Sequence, residues 1–503
     1  MAMEHDTIQH AAGITKLRKT TRTAYTEFQE SLPAYAKDLW PEARRTQEQW
    51  EAWIGPTNSG KTHSALRDLS RATSGRYLGP LRILAHEVQE KLETQGTITN
   101  LLTGEETVTR QHALHTSATV EMAETEAMHD VAVVDEAQMI DDNFRGSAWT
   151  RAILGSAAKR ILICAAPNAE AAIEQLAEYA NIPLTIHHVE RKTPLKMRDK
   201  PIPLHKAPSG TLLIAFSRHK VLEIAEDLRA RGRRVAMIYG SMPPEIRRHE
   251  SQRFLSGNAD IVIATDAVGM GINIPVEGVI FTAASKFDGN WTRLLHPEEV
   301  KQLAGRAGRF GLHESGWVCG ADDHIHAHVV KMMTGKTVPV AAPFAVLPDW
   351  RIIERASTIL RTKSLVSCLS ESIHAISQDP IIRKNINAPV LEISARLDSF
   401  HPVFDLHTRY ILSKAPLSKG TEDLFWSWLT NIWLSTKGEG TAIRMSSGLT
   451  TMKRLETSRL EEYAAEITLY RWLAARLPHW FPDAESATDE YKQVIEAAKR
   501  KIK

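Results

Sequence analysis

Three groups of residues in this chain could, by type and spacing, bind and cleave a nucleoside triphosphate. Gly55, Pro56, Thr57, Asn58, Ser59, Gly60, Lys61 and Thr62 fit the pattern GxxxxGK[ST] and run into a helical pattern from Ser64 to Leu69. Glycines let backbone N–H groups wrap phosphates, a lysine here reaches the β and γ oxygens, and the threonine hydroxyl holds Mg²⁺. Val131 to Val134 reads as a buried strand that ends in Asp135 and Glu136, two carboxylates at a strand's C-terminal edge, where α/β domains bind ligands. In those positions Asp135 is a metal ligand and Glu136 polarises the attacking water. The third group is Gln302, Arg306 and Arg309, which recur at i, i+4 and i+7 after His296 and Pro297, so a helix would show one amide and two guanidinium groups on a single face. Gly305 and Gly308 inside that helix would each cost about 1 kcal/mol relative to alanine, which implies a close neighbour that needs the missing side chains. An arginine brought from a second domain would make hydrolysis depend on closure of a cleft.

The elements that must position these groups read as α/β. From Ile54 to about Ile186, short β-rich runs alternate with helical stretches. After the proline-punctuated stretch Pro194 to Pro208 the alternation restarts, with strands at Leu212 to Phe216, Arg233 to Tyr239 and Ile261 to Ala264 and helices at Val221 to Arg231 and Pro244 to Leu255. Beyond a Pro- and Ala-rich linker, Thr337 to Pro348, the patterns are helical and rich in tryptophan. The expected division is a helical leader over 1–48, an ATP-binding α/β domain over 49–195, a second α/β domain over 196–335 and a helical domain over 336–503.

Composition sets outer limits. The 503 residues are 43% hydrophobic and 24% charged, with no apolar run near the roughly 18 residues that a membrane span needs. Cys164, Cys319 and Cys368 lie far apart without a CxxC pair, which argues against a disulfide framework or a zinc site. No metal beyond Mg²⁺ is expected. The formal net charge is +2, so a nucleic acid would be gripped by a local basic track. The N-terminus lacks the apolar core of a secretory signal, and Glu4, Asp6, Glu27 and Glu30 oppose a transit-peptide reading of the basic stretch Lys16 to Arg22; cytoplasmic residence is expected.

Taken in order, GPTNSGKT at Gly55, GPLRILAHEV at Gly79, TGEE at Thr103, ATVEM at Ala118, VVDEAQM at Val133, AFSRHK at Ala215, YGSMPP at Tyr239, IATDAVGMGIN at Ile263 and QLAGRAGRFG at Gln302 resemble the superfamily two helicases, specifically the mitochondrial degradosome RNA helicase (suppressor-of-Var) family and its bacterial relatives. The resemblance is strong from Gly55 to Gly311 and weaker in the helical tail. It implies two tandem RecA-like domains, RNA-stimulated ATP hydrolysis with Mg²⁺, 3′-to-5′ movement on RNA by a monomeric motor, and assistance to an exoribonuclease. It further implies coupling roles for Asp266 and Gly271, and RNA-backbone contacts from Arg82, Thr103, Gly104, Thr119, Ser217, Arg218 and Thr265. Two departures stand out. Cys164, Ala165, Ala166, Pro167 and Asn168 occupy the place of a Ser-Ala-Thr element, and no glutamine-based adenine reader precedes Gly55. A motor acting on DNA, or an RNA clamp that hydrolyses without unwinding, are the alternative readings of the same elements.

Between the Asp266 loop and the Gln302 helix, Asp288, Gly289 and Asn290 sit between short alternating runs as a hairpin turn would, where related helicases place a strand-separating hairpin. The tryptophan-rich stretch from Leu424 to Trp433 has helical spacing and reads as core.

Overall fold

The first sheet is built from β1 (Gln49–Ile54), β2 (Gly75–Gly79), β3 (Thr99–Leu102), β4 (Thr107–Val108), β5 (His115–Thr119), β6 (His129–Val134), β7 (Ala158–Ala165) and β8 (Leu184–His188), in the spatial order β4-β3-β5-β2-β6-β7-β1-β8. Only the β3–β4 pairing is antiparallel. In this computed structural model, residues 23–269, 274–289, 291–308, 311–383, 388–418, 420–435, 442–445 and 456–501 are described. Central strands covered by helices on both faces are apolar throughout, and Val131 to Val134 of β6 are accordingly all buried. β1 is harder to see in the sequence because Trp50, Ala52 and Ile54 are buried while Gln49, Glu51 and Trp53 are only half-buried. Glu51 is held by Arg160 on neighbouring β7, with Nη2 to Oε1 at 2.6 Å.

A second sheet contains β9 (Leu195–Met197), β10 (Thr211–Ile214), β11 (Val235–Ile238), β12 (Ile261–Ala264), β13 (Gly278–Phe281) and β16 (Gly316–Gly320), ordered β11-β12-β10-β13-β16-β9 and parallel throughout. The architecture is two tandem RecA-like α/β domains followed by helices. β14 (Ser285–Phe287) and β15 (Thr292–Leu294) form a separate antiparallel hairpin. Gly289 turns it with φ +107, and Asp288 N donates to Trp291 O at 3.0 Å. Asn290, the last residue of the expected turn, lies outside the described residues.

The leader bridges the first domain and the tail: buried Trp40 lies against Gly155, while Ala36 N donates to Asp379 at 2.8 Å and Arg355 donates to Ser31 O at 2.6 Å. The Thr337 to Pro348 stretch is tied down as well: Val340 N donates to Asn168 O at 2.7 Å, and Phe344 is fully buried. The tail is helical, from Trp350–Leu360 to Ala484–Lys501, and its aromatic stretch is core, with Phe425, Trp426, Leu429 and Ile432 buried. Within it, Asp398 caps the N-terminus of the helix Leu365–Ile376, accepting from Leu365 N at 2.7 Å and Ser364 Oγ at 2.7 Å, and it is paired with the buried guanidinium of Arg409. Arg409 also donates to Lys363 O at 2.7 Å and Phe404 O at 3.1 Å, so one cation joins three segments. Removing one partner of a buried pair leaves the other charge uncompensated. Arg409→Ala is therefore expected to destabilise the helical domain by about 3–5 kcal/mol. Limited proteolysis against temperature, read at the tail, checks this; unchanged protection would mean the pair contributes no net stability.

Candidate functional site

β1 and β6 deliver the phosphate loop and the carboxylates to the same edge of the first sheet, separated by β7. Gly55 is the only residue type that fits its place, since a Cβ there would lie 2.3 Å from Val189 O. Gly60 has φ +90 and open space before it, and its successor Lys61 starts the helix Lys61–Arg71. A helix N-terminus behind an open glycine is a cradle for an anion. Lys61 is buried, with Nζ donating to Pro56 O at 3.2 Å, and Ser59 Oγ is buried without a hydrogen-bond partner.

Asp135 is the hub of the first half-site. It accepts from Thr62 Oγ1 at 3.1 Å, Tyr77 Oη at 3.0 Å and Glu136 N at 3.0 Å. Burial raises its pKa to about 6, the negative charge of Glu136 adds to this, and Lys61 opposes it. Glu136 stands in the left-handed region at φ 51, which turns its carboxylate out of the strand direction. It is hydrogen-bonded by Gln138 Nε2, and Gln138 Oε1 accepts from Ala166 N at 3.0 Å. The segment that departs from Ser-Ala-Thr is thus connected to the carboxylate through a glutamine and a main-chain N–H. The Thr62 hydroxyl and the Asp135 carboxylate side by side are hard oxygen donors that suit Mg²⁺, which keeps several ligands from phosphate and water. Among the described residues no group of three or more His, Cys, Asp or Glu side chains gathers as a metal site.

The second half-site differs from the expected helical face. The helix Pro297–Ala304 ends before Gly305, so Gln302 lies in its last turn while Arg306 sits on the following turn. The chain is pulled out of helix because Ala307 bridges Val276 and Gly308 N donates to Val276 O at 2.8 Å, with Gly308 at φ +67. The glycines do have a close neighbour. A Cβ on Gly305 would meet Thr57 Cβ at 2.7 Å, and one on Gly308 would meet Gly316 N at 2.5 Å. Asn58, in the phosphate loop, does not turn its amide to the cradle but donates to Gly305 O at 2.9 Å. Arg306 is buried; desolvation lowers its pKa, while the charges of Glu136, Asp135 and Glu87 favour the cation. The guanidinium therefore shares its electrostatic environment with the two carboxylates of the other domain. Arg309 and Gly271 lie outside the described residues. Asp266 is paired with Lys286 at 3.0 Å, and Lys286 bridges on to Glu299 at 2.7 Å, which ties the Asp266 turn, the hairpin base and the Gln302 helix together.

The residues expected on RNA line the C-terminal edges of both sheets, but several are engaged within the protein. Arg82 is paired with Glu105. Thr103 is buried and accepts from Glu106 N at 3.0 Å, and open space surrounds Gly104. Thr119 ends β5, and Thr265 follows β12 with its N–H donating to Ile238 O at 3.0 Å; both are buried. Ser217 caps the helix Arg218–Ala230 by accepting from Lys220 N at 3.1 Å. Arg218 is paired with Glu461 of the tail at 3.1 Å, and Tyr239 Oη donates to the same carboxylate at 2.5 Å. Sequence reasoning missed Tyr77, Lys286 and Glu461 as parts of the site. A tyrosine on a fully buried strand needs a partner for its hydroxyl, which was the available signal for Tyr77; the other two pair across long sequence separations and leave no local signal.

Comparison with known proteins agrees with this geometry. Residues 36–189 match the model of the DEXQ-box helicase domain of Suv3, residues 194–311 the helicase conserved C-terminal domain, and residues 457–497 the ATP-dependent RNA helicase SUV3 C-terminal domain. The mitochondrial ATP-dependent RNA helicase SUV3 of Saccharomyces cerevisiae is 32% identical over 493 residues, covering 90% of this chain and 64% of that protein. The mitochondrial DExH-box ATP-dependent RNA helicase DExH16 of Arabidopsis thaliana is 29% identical over 477 residues, with 90% and 80% covered, and the mitochondrial ATP-dependent RNA helicase SUPV3L1 of Homo sapiens is 31% identical over 473 residues, with 90% and 60% covered. The chain thus spans less than two thirds of the yeast and human relatives, and 39% of the Candida albicans SUV3. These relatives overturn the expectation of cytoplasmic residence, since all of them are named mitochondrial. Scarce cysteine fits any reducing compartment, and charge in the leader does not decide between them. With a Suv3 DEXQ-box domain matched over the first sheet, a helicase C-terminal domain over the second and a SUV3 C-terminal domain in the tail, the chain is similar to Suv3 helicases along most of its length.

Proposed function

We propose that the chain is an ATP-dependent RNA helicase that couples hydrolysis to 3′-to-5′ movement on RNA and unwinding of structured RNA in RNA turnover. The observation that carries this reading is the composite cleft: the turn bearing Arg306 rests on the phosphate loop, and its guanidinium lies within the field of Asp135 and Glu136. Residues 55–62 hold the triphosphate, with Lys61 on the β and γ oxygens. Thr62 and Asp135 would hold Mg²⁺, which would neutralise charge developing on the phosphates. Glu136, oriented by Gln138, accepts a proton from the attacking water, and Arg306 stabilises the transferring phosphoryl group in a desolvated setting. Gln302, Arg309 and Gly271 take the remaining roles that the family resemblance implies at the γ-phosphate and in coupling. Asp266, through Lys286, relays the state of the cleft to the hairpin, whose Phe287 and Trp291 are exposed at 62% and 76% and suited to stacking on bases. Small hydroxyls and loop amides at the C-terminal strand edges suit sequence-independent backbone contact. The motor works as a monomer and hands unwound RNA to an exoribonuclease.

The same backbone grip admits DNA, so ATPase stimulation by matched RNA and DNA strands separates the two substrates. RNA is expected to stimulate more strongly, and equal stimulation would overturn the RNA assignment. On a 3′-tailed duplex under single-turnover conditions the wild type releases the displaced strand; hydrolysis with the duplex left intact would instead identify a clamp. Lys61→Ala and Glu136→Gln are each expected to lower kcat by at least about a hundredfold, the scale of losing a positioned proton acceptor or phosphate cation. The Glu136 variant should still bind ATP and RNA, and turnover retained in it would place water activation elsewhere.

A further inference from the structure

Between the two sheets the chain passes from Val189, whose N–H donates to Ile54 O at 2.8 Å, to Leu195, the first residue of β9. Arg191 lies in this short connection. Its Nε donates to Thr193 O at 2.6 Å, one terminal nitrogen to Gly305 O at 2.6 Å and Thr57 O at 3.3 Å, and the other to Gly308 O at 3.1 Å and to Ala307 O. These five acceptors are all main-chain carbonyls, drawn from the linker, the phosphate loop of the first domain and the Arg306 turn of the second. Gly305 O also receives Asn58 Nδ2 at 2.9 Å, so a side chain of the phosphate loop and the linker guanidinium meet on one oxygen.

The physical need is plain. The last helical carbonyls accept from the turn that follows, Lys301 O from Gly305 N and Ala304 O from Ala307 N, but the carbonyls of Gly305, Ala307 and Gly308 lie past the helix end, part-buried, and need donors from elsewhere. A planar guanidinium carries several donors in a rigid fork and stays charged even where burial lowers its pKa, as it does for Arg191. A lysine ammonium, with its donors radiating from one point, does not reproduce that fork.

We propose that Arg191 is a positioning residue for hydrolysis: a clasp at the hinge that sets how closely the Arg306 turn approaches the phosphate loop. The proposal rests on the nucleotide-hydrolysing reading of the cleft. Arg191 acts through Thr57 and Gly305, and none of its five acceptors belongs to Lys61, Thr62, Asp135 or Glu136. Of residues 55–62 Arg191 touches only the Thr57 carbonyl, at 3.3 Å, whereas it holds three carbonyls of the Arg306 turn, so its loss is expected to disturb the placement of Arg306 more than nucleotide affinity. Cleft closure depends on the clasp as well.

The test uses the full chain with Arg191→Ala and Arg191→Lys. Steady-state ATP hydrolysis with saturating RNA gives kcat and KM, and a donor–acceptor dye pair on introduced surface cysteines, one per domain, reports closure with a non-hydrolysable ATP analogue. The three native cysteines are buried, so labelling is directed to the introduced sites. Both variants are expected to lose about ten- to a hundredfold in kcat, the effect of misplacing a reacting group by roughly 1 Å, with KM within about threefold of wild type and a smaller closed population. Wild-type kcat in both variants, or a lowered kcat with an unaltered closed population, would overturn the proposal. If Arg191→Ala folds poorly, Arg191→Lys decides it. A wild-type chain that hydrolyses no triphosphate would refute the nucleotide reading, and the dye-pair measurement would still decide the clasp.

Discussion

The steric and hydrogen-bonded contact of the 305–308 turn with the phosphate loop is the constraint on which the rest of the site depends. Each loop is fixed first in its own sheet: Gly55 N donates to Ala165 O at 3.1 Å, and Gly308 N to Val276 O at 2.8 Å. Where the two loops meet there is no room for a side chain at Gly305. The approach brings a desolvated guanidinium into the field of the carboxylates of the other domain, whose charges favour its cationic form, while Lys61 opposes the rise in the Asp135 pKa. A site divided in this way is complete only when the domains are together, which is the requirement for converting hydrolysis into relative motion.

The helical tail takes part in the same arrangement. Glu461, buried on the helix Thr457–Ala474, receives both Arg218 and Tyr239 of the second domain, and Tyr491 of the last helix donates to Glu245 at 2.9 Å. Arg82 and Arg218, the two arginines expected at the RNA edge, are held by carboxylates rather than left to sweep solvent. The tail thus fixes Arg218 of the second domain through charge, whereas its buried Trp426 and Trp472 serve packing.

Much of this was legible because it is local. The glycines and lysine of the phosphate loop, the apolar run into Asp135 and Glu136, and the hairpin turn at Gly289 each carry their own conformational or chemical signature. What was not legible is what tertiary contact decides. The helical spacing of Gln302, Arg306 and Arg309 suggested one continuous face, but bridging to Val276 ends the helix at Ala304, and propensity yields to that pairing. Asn58 belonged to a phosphate-loop pattern, and nothing in the pattern says that its amide crosses to the other domain. Lys286 and Arg191 lacked any motif, because their partners are carboxylates and carbonyls distant in sequence.

The most direct measurement of the central claim is an experimental structure of the full chain with a non-hydrolysable ATP analogue, Mg²⁺ and a short RNA strand. In that structure γ-phosphate oxygens are expected within about 3 Å of both Lys61 Nζ and a guanidinium nitrogen of Arg306, with Gly305 still against Thr57. A bound triphosphate contacted by Lys61 alone, with the Arg306 turn facing away across an open cleft, would contradict it.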